Sequence, residues 1–283
     1  MWFESSGFAP EPVMPFRLFA SRTSSIVYAT TFINFALIFW ATFFLPLYFM
    51  SVQLSSPSWT GVQALPLSLV AMPGAALSAV ILARYGRYKA LHLGGFGLLT
   101  IGWGLFSTLD KDSPTWKWAI FEVVFAFGLG MLMNTILPAF QAGVSEADQA
   151  AATSSWAFMR SFAGTWGVAI PSAVFNSYTA QYAGEVGDPV ARAALSGGDA
   201  YASATKYFVE SFAEPTRSEL ISVFTKAIQK VFLVAIPFAG FAFLLSLGER
   251  EVKLRTELET DFGMEEVKPA KASQKDEEAA LAS

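Results

Sequence analysis

Few side chains in this sequence could do chemistry. Its 283 residues include no cysteine and a single histidine, His92, so disulfides, thiolate metal sites and cysteine nucleophiles are excluded. No hydrophobic segment holds the paired Asp residues, or the His with a Glu, that a membrane protease or metal hydrolase needs. We therefore expect a protein that is not an enzyme and uses no metal or cofactor.

Four side chains within hydrophobic segments are candidates for contact with a ligand. Glu122 is an ionisable group in a span, where a charge is costly and marks a functional candidate, although near the end of a span it can also reach water. Asn34 and Asn134 can hydrogen-bond a substrate or tie one helix to another, and Pro138 leaves the carbonyl of Asn134 without its usual donor. Trp166 can stack on a flat ligand if it faces inward. We expect these four residues to line a substrate cavity.

The elements that position these residues are six hydrophobic segments, each near the length of a membrane-spanning helix. The composition is 53% hydrophobic with a positive mean hydropathy, and no charged residue occurs between Arg22 and Arg84. The sequence therefore predicts an all-α integral membrane protein with a six-span bundle over residues 24–248. The predicted spans are 24–50, 61–82, 91–108, 118–140, 156–175 and 231–247.

The distribution of Lys and Arg predicts that both termini are cytoplasmic. Positive residues near span ends are retained on the cytoplasmic side. They gather at alternate span ends, among them Arg22, Arg84 and Arg160, whereas the turn on the opposite side after the first span has none. Residues 1–23 are then a cytoplasmic linker.

The segments outside the spans carry their own patterns. Apolar residues such as Leu220, Phe224 and Ile228 recur at helical spacing in the long outer loop 176–230, which predicts a short amphipathic helix at the outer surface that feeds the sixth span. We interpret the loop as a packed cover over the bundle, with a binding or gating role as the alternative. Residues 249–283 hold ten acids and six bases, which predicts a disordered cytoplasmic tail and gives no basic surface for nucleic acid.

Small residues are concentrated in the fourth and fifth predicted spans. They include Gly128, Gly130, Gly164 and Gly167. Small side chains let helices approach closely, and in a moving bundle they also make sliding surfaces. For each single glycine, we expect close helix packing.

The turn after the second span resembles a known loop motif. Residues 79–88 read AVILARYGRY, which resembles the repeated G-x-L-a-D-r-x-G-r-k motif of the major facilitator superfamily. Arg84, Gly86 and Arg87 match the motif, while Ala79 replaces its leading Gly and Ala83 replaces its Asp. Gly86 suits a tight turn because glycine readily adopts positive φ. This degraded form resembles the copy in the C-terminal half of these transporters, so the charge-pair role of the Asp is not carried over.

Three longer segments resemble one branch of that family. They are PEPVMPFRLFASRTSSIVY, LPLYFMSVQLSSPSWTGVQALPLSL and GLGMLMNTILPAFQAGVSEADQAAATSSWAFMRSFAGTWGVAIPSAVFN, and they look like consecutive parts of the fourteen-span drug:proton antiporters, particularly the fungal multidrug and toxin efflux members. The resemblance implies substrate export driven by inward proton flow, with alternating access around a central cavity. The six spans would correspond to the last six helices of that fold, so we expect the C-terminal half and a truncated product or fragment.

Two functional hypotheses follow. The first is the C-terminal half of a proton-coupled exporter of small amphipathic organic molecules or toxins. The second is a truncated six-span membrane protein without transport activity of its own, either inert or an interaction partner of full carriers. The expected partners are a small-molecule substrate, protons, the lipid bilayer, and a missing N-terminal half or a second copy. We expect the plasma membrane, with the vacuolar membrane as the alternative.

Overall fold

The computed structural model describes residues 14–251, and no strand occurs among them. Six long helices form the bundle: α1 (Arg22–Ser51), α2 (Leu65–Tyr85), α3 (Lys89–Phe106), α4 (Thr115–Met133), α5 (Gln149–Tyr182) and α6 (Thr216–Leu247). Shorter helices connect them, namely Phe16–Phe19, Pro57–Gln63, Ile136–Ala142, Glu146–Asp148, Ala183–Glu185, Pro189–Ser196, Ala200–Ser203 and Lys206–Glu210. Most of the expected linker and almost all of the expected disordered tail lie outside the described residues.

Four helical stretches of the described chain have the length and apolar composition needed to cross a membrane. They are Arg22–Ser51, Pro57–Tyr85, Thr115–Ala142 and Thr216–Leu247. Helices α3 and α5 do not meet the same criterion, since α3 begins with Lys89 and carries His92 and five glycines, and α5 is rich in Ser and Thr. The six-span half is therefore not confirmed, although helices occupy the predicted spans 91–108 and 156–175.

Three predicted boundaries differ from the structure. Helix α5 begins at Gln149, because the Ala and Gln residues of its first turns form helix well while adding little hydropathy. Helix α6 begins at Thr216, so the predicted amphipathic helix runs directly into the last span that it was expected to feed; its Leu220 and Phe224 are buried in the bundle and do not lie at the outer surface. The predicted span 118–140 is interrupted after Met133.

The interruption in that span lies one turn before Pro138, whereas Pro46, Pro73, Pro171 and Pro237 lie inside continuous helices. Pro138 has no N–H, so the carbonyl of Asn134 loses its helical donor. The chain turns at Asn134 and Thr135, where Asn134 has φ −105° and ψ 5°, and helix resumes at Ile136. A polar side chain is thereby placed at a helix end inside an apolar stretch.

Glycines bring α4 close to α2 and α3. A Cβ on Gly130 would clash with the Ala71 carbonyl oxygen of α2, and one on Gly128 would lie 2.8 Å from the Gly95 carbonyl oxygen of α3. Because the opposing atoms belong to backbone, neither contact leaves room for a larger residue. The packing roles expected for Gly128 and Gly130 are confirmed.

Helix α5 packs on α1 in the same manner. A Cβ on Gly167 would clash with the Ala36 carbonyl oxygen, and one on Gly164 would lie 3.0 Å from the Phe39 ring. Helix α6 packs against α1, α3 and α5, whereas α2 has its main contact with α4 alone. One side of α2 is therefore uncovered in this chain.

The connection from α5 to α6 packs against the end of the bundle, as the packed-cover interpretation predicted. Val186, Leu195 and Val209 are fully buried. The backbone N–H of Tyr201 donates to the Asn176 side chain at 3.1 Å. These contacts anchor the connection at several points along its length.

Candidate functional site

Glu122 is fully buried between α4 and α2. It lies about two turns into α4, its side chain has no exposed surface, and the backbone amide of Leu67 in α2 lies beside it. Neither carboxylate oxygen makes a hydrogen bond of good geometry within residues 14–251, so the Leu67 amide is at most a weak donor to it. The side chain therefore does not reach water at the helix end. A buried carboxylate without a partner is costly, so it stays a candidate for binding and releasing a proton.

The two asparagines occupy different environments. Asn34 in α1 is buried, and its Oδ1 accepts no hydrogen bond from the described residues. Asn134 is exposed, and its Nδ2 donates to the Ala75 carbonyl oxygen of α2 at 3.2 Å. Asn134 thus ties α4 to α2, while the Asn34 acceptor oxygen is buried without a donor from the described residues.

Trp166 belongs to a row of exposed aromatic side chains on α5. Phe158 and Phe162 stack with ring centroids 5.9 Å apart, and Trp166 meets Phe162 edge-on at 6.2 Å. Their four-residue spacing keeps the three rings on one flank of the helix. Trp166 itself is 44% exposed, so its ring is accessible.

The structure does not gather the four predicted residues into one cluster. Glu122 lies between α4 and α2, Asn34 lies within the core side of α1, and Trp166 lies on an outer flank of α5. Their described hydrogen bonds and ring contacts join none of them to another. A cavity that uses all four would need surfaces beyond those that meet in this chain.

The loop motif forms the turn between α2 and α3. Gly86 has φ 63°, and its N–H donates to the Leu82 carbonyl oxygen at 2.8 Å. This left-handed helix end is the conformation expected of the glycine. Arg84 and Arg87 are exposed, and the Arg84 guanidinium lies 5.8 Å from the Tyr85 ring. The motif's cations are thus available at the surface.

A buried polar pair that the sequence did not suggest joins the start of α3 to the end of α6. His92 Nδ1 lies 2.7 Å from Glu249 Oε2, and both side chains are fully buried. Lys89 Nζ donates to the carbonyl oxygens of Leu247 and Glu249 at 2.9 and 2.7 Å, which satisfies free carbonyls at the helix end. Because the partners are 157 positions apart, no local spacing could have predicted the pair.

A second ion pair ties the segment before α1 to the segment before α5. Arg17 Nε donates to Asp148 Oδ1 at 2.7 Å, and the Ser145 hydroxyl donates to Oδ2 at 2.7 Å. The Arg17 hydrogen bond, followed by that of Ser145, holds the pKa of Asp148 below its ordinary value. Neither residue stood out in the sequence.

Arg160 lies at a different place along its helix from the one predicted from the sequence. It was counted among the charges at a cytoplasmic span end, yet α5 begins at Gln149, so Arg160 lies well inside the helix. Its guanidinium lies over the rings of Phe35 in α1 and Trp156. The early start of α5 was the missing information, since hydropathy alone begins the span near Trp156.

Comparison with known proteins identifies a family match over much of the chain. A family model described as Major Facilitator Superfamily matches residues 3–168, which is more than half of the 283 residues. The matched range includes Glu122, Asn134 and the turn with Gly86.

Fungal proteins are similar over almost the whole chain. The chain is 46% identical over 264 residues to the MFS-type transporter TwmF of Talaromyces wortmannii, covering 93% of this chain and 48% of that protein. It is 34% identical over 277 residues to the MFS-type efflux pump LUC4 of a Fusarium species, covering 97% and 49%. The efflux pump FUS6 of Gibberella fujikuroi is 34% identical over 278 residues, covering 98% and 50%. The chain thus spans about half the length of the curated relatives it matches.

Proposed function

The chain belongs to the major facilitator superfamily, and we propose that it is part of a membrane transporter, not an enzyme, and forms the C-terminal half of a proton-coupled exporter. The cargo would be small amphipathic organic molecules, and the fold would be that of the fourteen-span antiporter branch. Relatives named as efflux pumps support the direction of transport. Alternating access would come from rocking of this half against a complementary half.

The observation that carries the proposal is the uncovered side of α2. Leu69, Met72 and Val80 are 58%, 68% and 62% exposed along this helix, and its main contact is with α4 alone. Such an apolar surface suits lipid or another helical half. A second bundle placed against it would turn one face of this chain into a wall of an enclosed cavity.

Within that exporter we assign Glu122 as the residue that carries the coupling proton. It is buried without a hydrogen-bond partner in the described chain, and it lies at the interface of α4 with α2, the helix whose other side is uncovered. Movement of the complementary half against α2 could therefore change its access to water. Asn34 of α1, Asn134 at the end of α4 and Trp166 of α5 are proposed to contact substrate.

The test is flux in an assembled pair. The 283-residue chain is reconstituted in proteoliposomes alone, and after co-expression with the N-terminal half of TwmF, with an inward proton gradient and a fluorescent amphipathic dye. We expect gradient-dependent dye movement only for the pair. Flux by the chain alone would contradict the half-carrier proposal, and a stable pair without flux would favour the non-transporting alternative.

The cellular placement is a separate proposal. We place the protein in the plasma membrane, as expected for an exporter, and we place both termini in the cytoplasm on the basis of the Lys and Arg distribution. Fluorescent fusions at each terminus, combined with protease access to sealed cells, test both points. Signal confined to the vacuolar membrane would contradict the first, and cleavage of either terminus from outside would contradict the second.

A further inference from the structure

Arg160 places a positive charge beside the middle of a membrane-spanning helix. Its guanidinium carbon lies 5.1 Å from the ring centroid of Phe35. Phe35 is 13 residues after the first residue of the 30-residue α1, or about 20 Å along it at 1.5 Å per residue. Helix α1 is long and apolar enough to cross a membrane, so the charge lies far from either end of it.

The described chain gives this charge no anion and no acceptor. Arg160 is exposed, and the ion pairs found within residues 14–251 do not include it. Its contacts are with the rings of Phe35 and Trp156, at 5.1 and 5.9 Å, which attract the cation but accept no N–H in the plane of the guanidinium. The indole N–H of Trp156 is also buried without an acceptor there. The guanidinium of Arg160 and the indole N–H of Trp156 are therefore two neighbouring donors for which the described residues supply no hydrogen-bond acceptor.

These donors face a different direction from the aromatic row of Trp166. Trp156, Arg160 and Gly164 follow one another at four-residue spacing and share one flank of α5, and the Phe39 ring packs over Gly164. Arg160 is two residues from Phe162, which separates them by roughly 200° around a helix of 3.6 residues per turn. Both flanks reach α1, since the Phe162 ring lies 5.9 Å from that of Phe32, but the donor flank meets the other half-buried rings of α1, Phe35 and Phe39.

The chemistry of this flank fits an oxyanion attached to an apolar body. A guanidinium at such depth is too costly to face hydrocarbon, so residues of this kind face a bundle interior or a water-filled cavity. A carboxylate or sulfonate can take paired, charge-assisted hydrogen bonds from the planar guanidinium, with the indole N–H as an additional donor. The Phe35 and Phe39 rings beside it offer surface to an aromatic group.

We propose that Arg160 and Trp156 form an anion site that binds the oxyanion group of the transported molecule, with Phe35 and Phe39 against its apolar body. The inference rests on the proposed export function and narrows the substrate class to anionic amphipathic molecules. A carboxylate on the complementary half is a second source of the same chemistry, which the experiment separates from substrate.

The experiment compares two probes that share an aromatic skeleton. The full chain is placed in nanodiscs of zwitterionic lipid and titrated with 1-anilinonaphthalene-8-sulfonate, which is anionic, or N-phenyl-1-naphthylamine, which is uncharged. Energy transfer from tryptophan, corrected with empty nanodiscs, reports binding. We expect saturable binding of both probes. Arg160→Gln should weaken sulfonate binding by about tenfold, the loss of one charge-assisted interaction, and leave the uncharged probe unchanged.

Two further variants control for charge and folding. Arg160→Lys keeps the charge without the planar fork and should lie between wild type and Arg160→Gln. Arg84→Gln removes an exposed cation at the α2–α3 turn and should bind both probes as wild type does. Equal sulfonate affinity in wild type and Arg160→Gln, an equal loss in Arg84→Gln, or loss of both probes in Arg160→Gln would overturn the anion site.

The same titrations separate this inference from the proposed function. If wild type binds the uncharged probe but Arg160→Gln does not weaken sulfonate binding, the anion site alone is overturned. If wild type binds neither probe, the proposal that this chain has a substrate-binding surface is overturned as well. The titrations are repeated on the pair formed with the N-terminal half of TwmF. Sulfonate selectivity that persists in the pair supports a substrate site. If the selectivity for the sulfonate is lost only in the pair, a carboxylate of the complementary half occupies the site, and the assignment to substrate is overturned.

Discussion

Gly130→Ala tests whether the contact of α4 with α2 needs a glycine. The added Cβ would meet three backbone groups of α2: the Ala71 carbonyl oxygen, the Ala75 nitrogen at 2.9 Å and the Gly74 Cα at 3.0 Å. None of these can rotate away as a side chain could, so the two helices must separate. Overpacking of this kind costs about 1–3 kcal/mol, partly offset by the roughly 1 kcal/mol that Ala gains over Gly in a helix.

Gly104→Ala is the matched control. Gly104 lies in α3, and a Cβ there has nothing within 4 Å, so the variant gains helix propensity without overpacking. The difference between the two variants isolates the packing cost, about 1–3 kcal/mol. The assay is SDS-driven unfolding of the purified protein in mixed micelles, followed by circular dichroism. A free energy of unfolding for Gly130→Ala equal to or above that of Gly104→Ala would refute the reasoning.

Three further predictions concern buried or paired ionisable groups. His92→Leu or Glu249→Leu should each lower the free energy of unfolding in the same titration by about 1–3 kcal/mol, because the buried polar group that remains loses its hydrogen bond; a double variant less stable than both single variants would contradict this. Asp148→Asn should speed proteolysis of the segment before α1 at neutral pH. Because the pKa of Asp148 is lowered, its pairing with Arg17 stabilises the fold at pH values above the carboxyl's ordinary pKa, 3.8, and this stabilisation is lost as the pH falls through the pKa of the folded state. A difference in proteolysis rate between Asp148→Asn and wild type that persists in strong acid would contradict the prediction. Glu122→Leu should raise the free energy of unfolding by about 1–3 kcal/mol, since the buried carboxylate has only the weak Leu67 amide beside it, and should abolish gradient-dependent flux by the assembled pair; reduced stability would show that Glu122 is satisfied.

Local features of the fold were predictable from local physics. The turn at Gly86 follows from glycine's tolerance of positive φ. The carbonyl freed by Pro138 was also identified, and the chain breaks at that residue, Asn134, although the break itself was not predicted, since 118–140 was expected to be one span. Close packing at Gly130 follows from the absence of a side chain. In each case the cause lies within a few positions of the effect, so one sequence contains the needed information.

The pairs that close the bundle could not be predicted in this way. His92 and Glu249 come together only because α3 packs on α6, and Arg17 reaches Asp148 only because α1 packs on α5. Composition and periodicity define the faces of a helix but not which other helix each face meets. The prediction of the candidate site was affected most, because Glu122, Asn34 and Trp166 were each chosen from a single span, without information on which spans pack together.

Helix α5 shows why hydropathy also misplaced Arg160. It has 34 residues, more than any other helix described, yet it is not apolar enough to pass as a span by composition. Its exposed side carries hydroxyls such as Ser154 and Ser161, which donate to carbonyl oxygens one turn back at 3.0 and 3.2 Å, whereas the exposed side of α2 carries Leu69 and Met72. The hydroxyls are satisfied within the helix, so they cost little helical stability while lowering hydropathy. Hydropathy therefore reports what a helix faces and not how far it extends. For a helix that faces water or another protein surface, a prediction from hydropathy misplaces the first residue of the helix and any charged residue near that end.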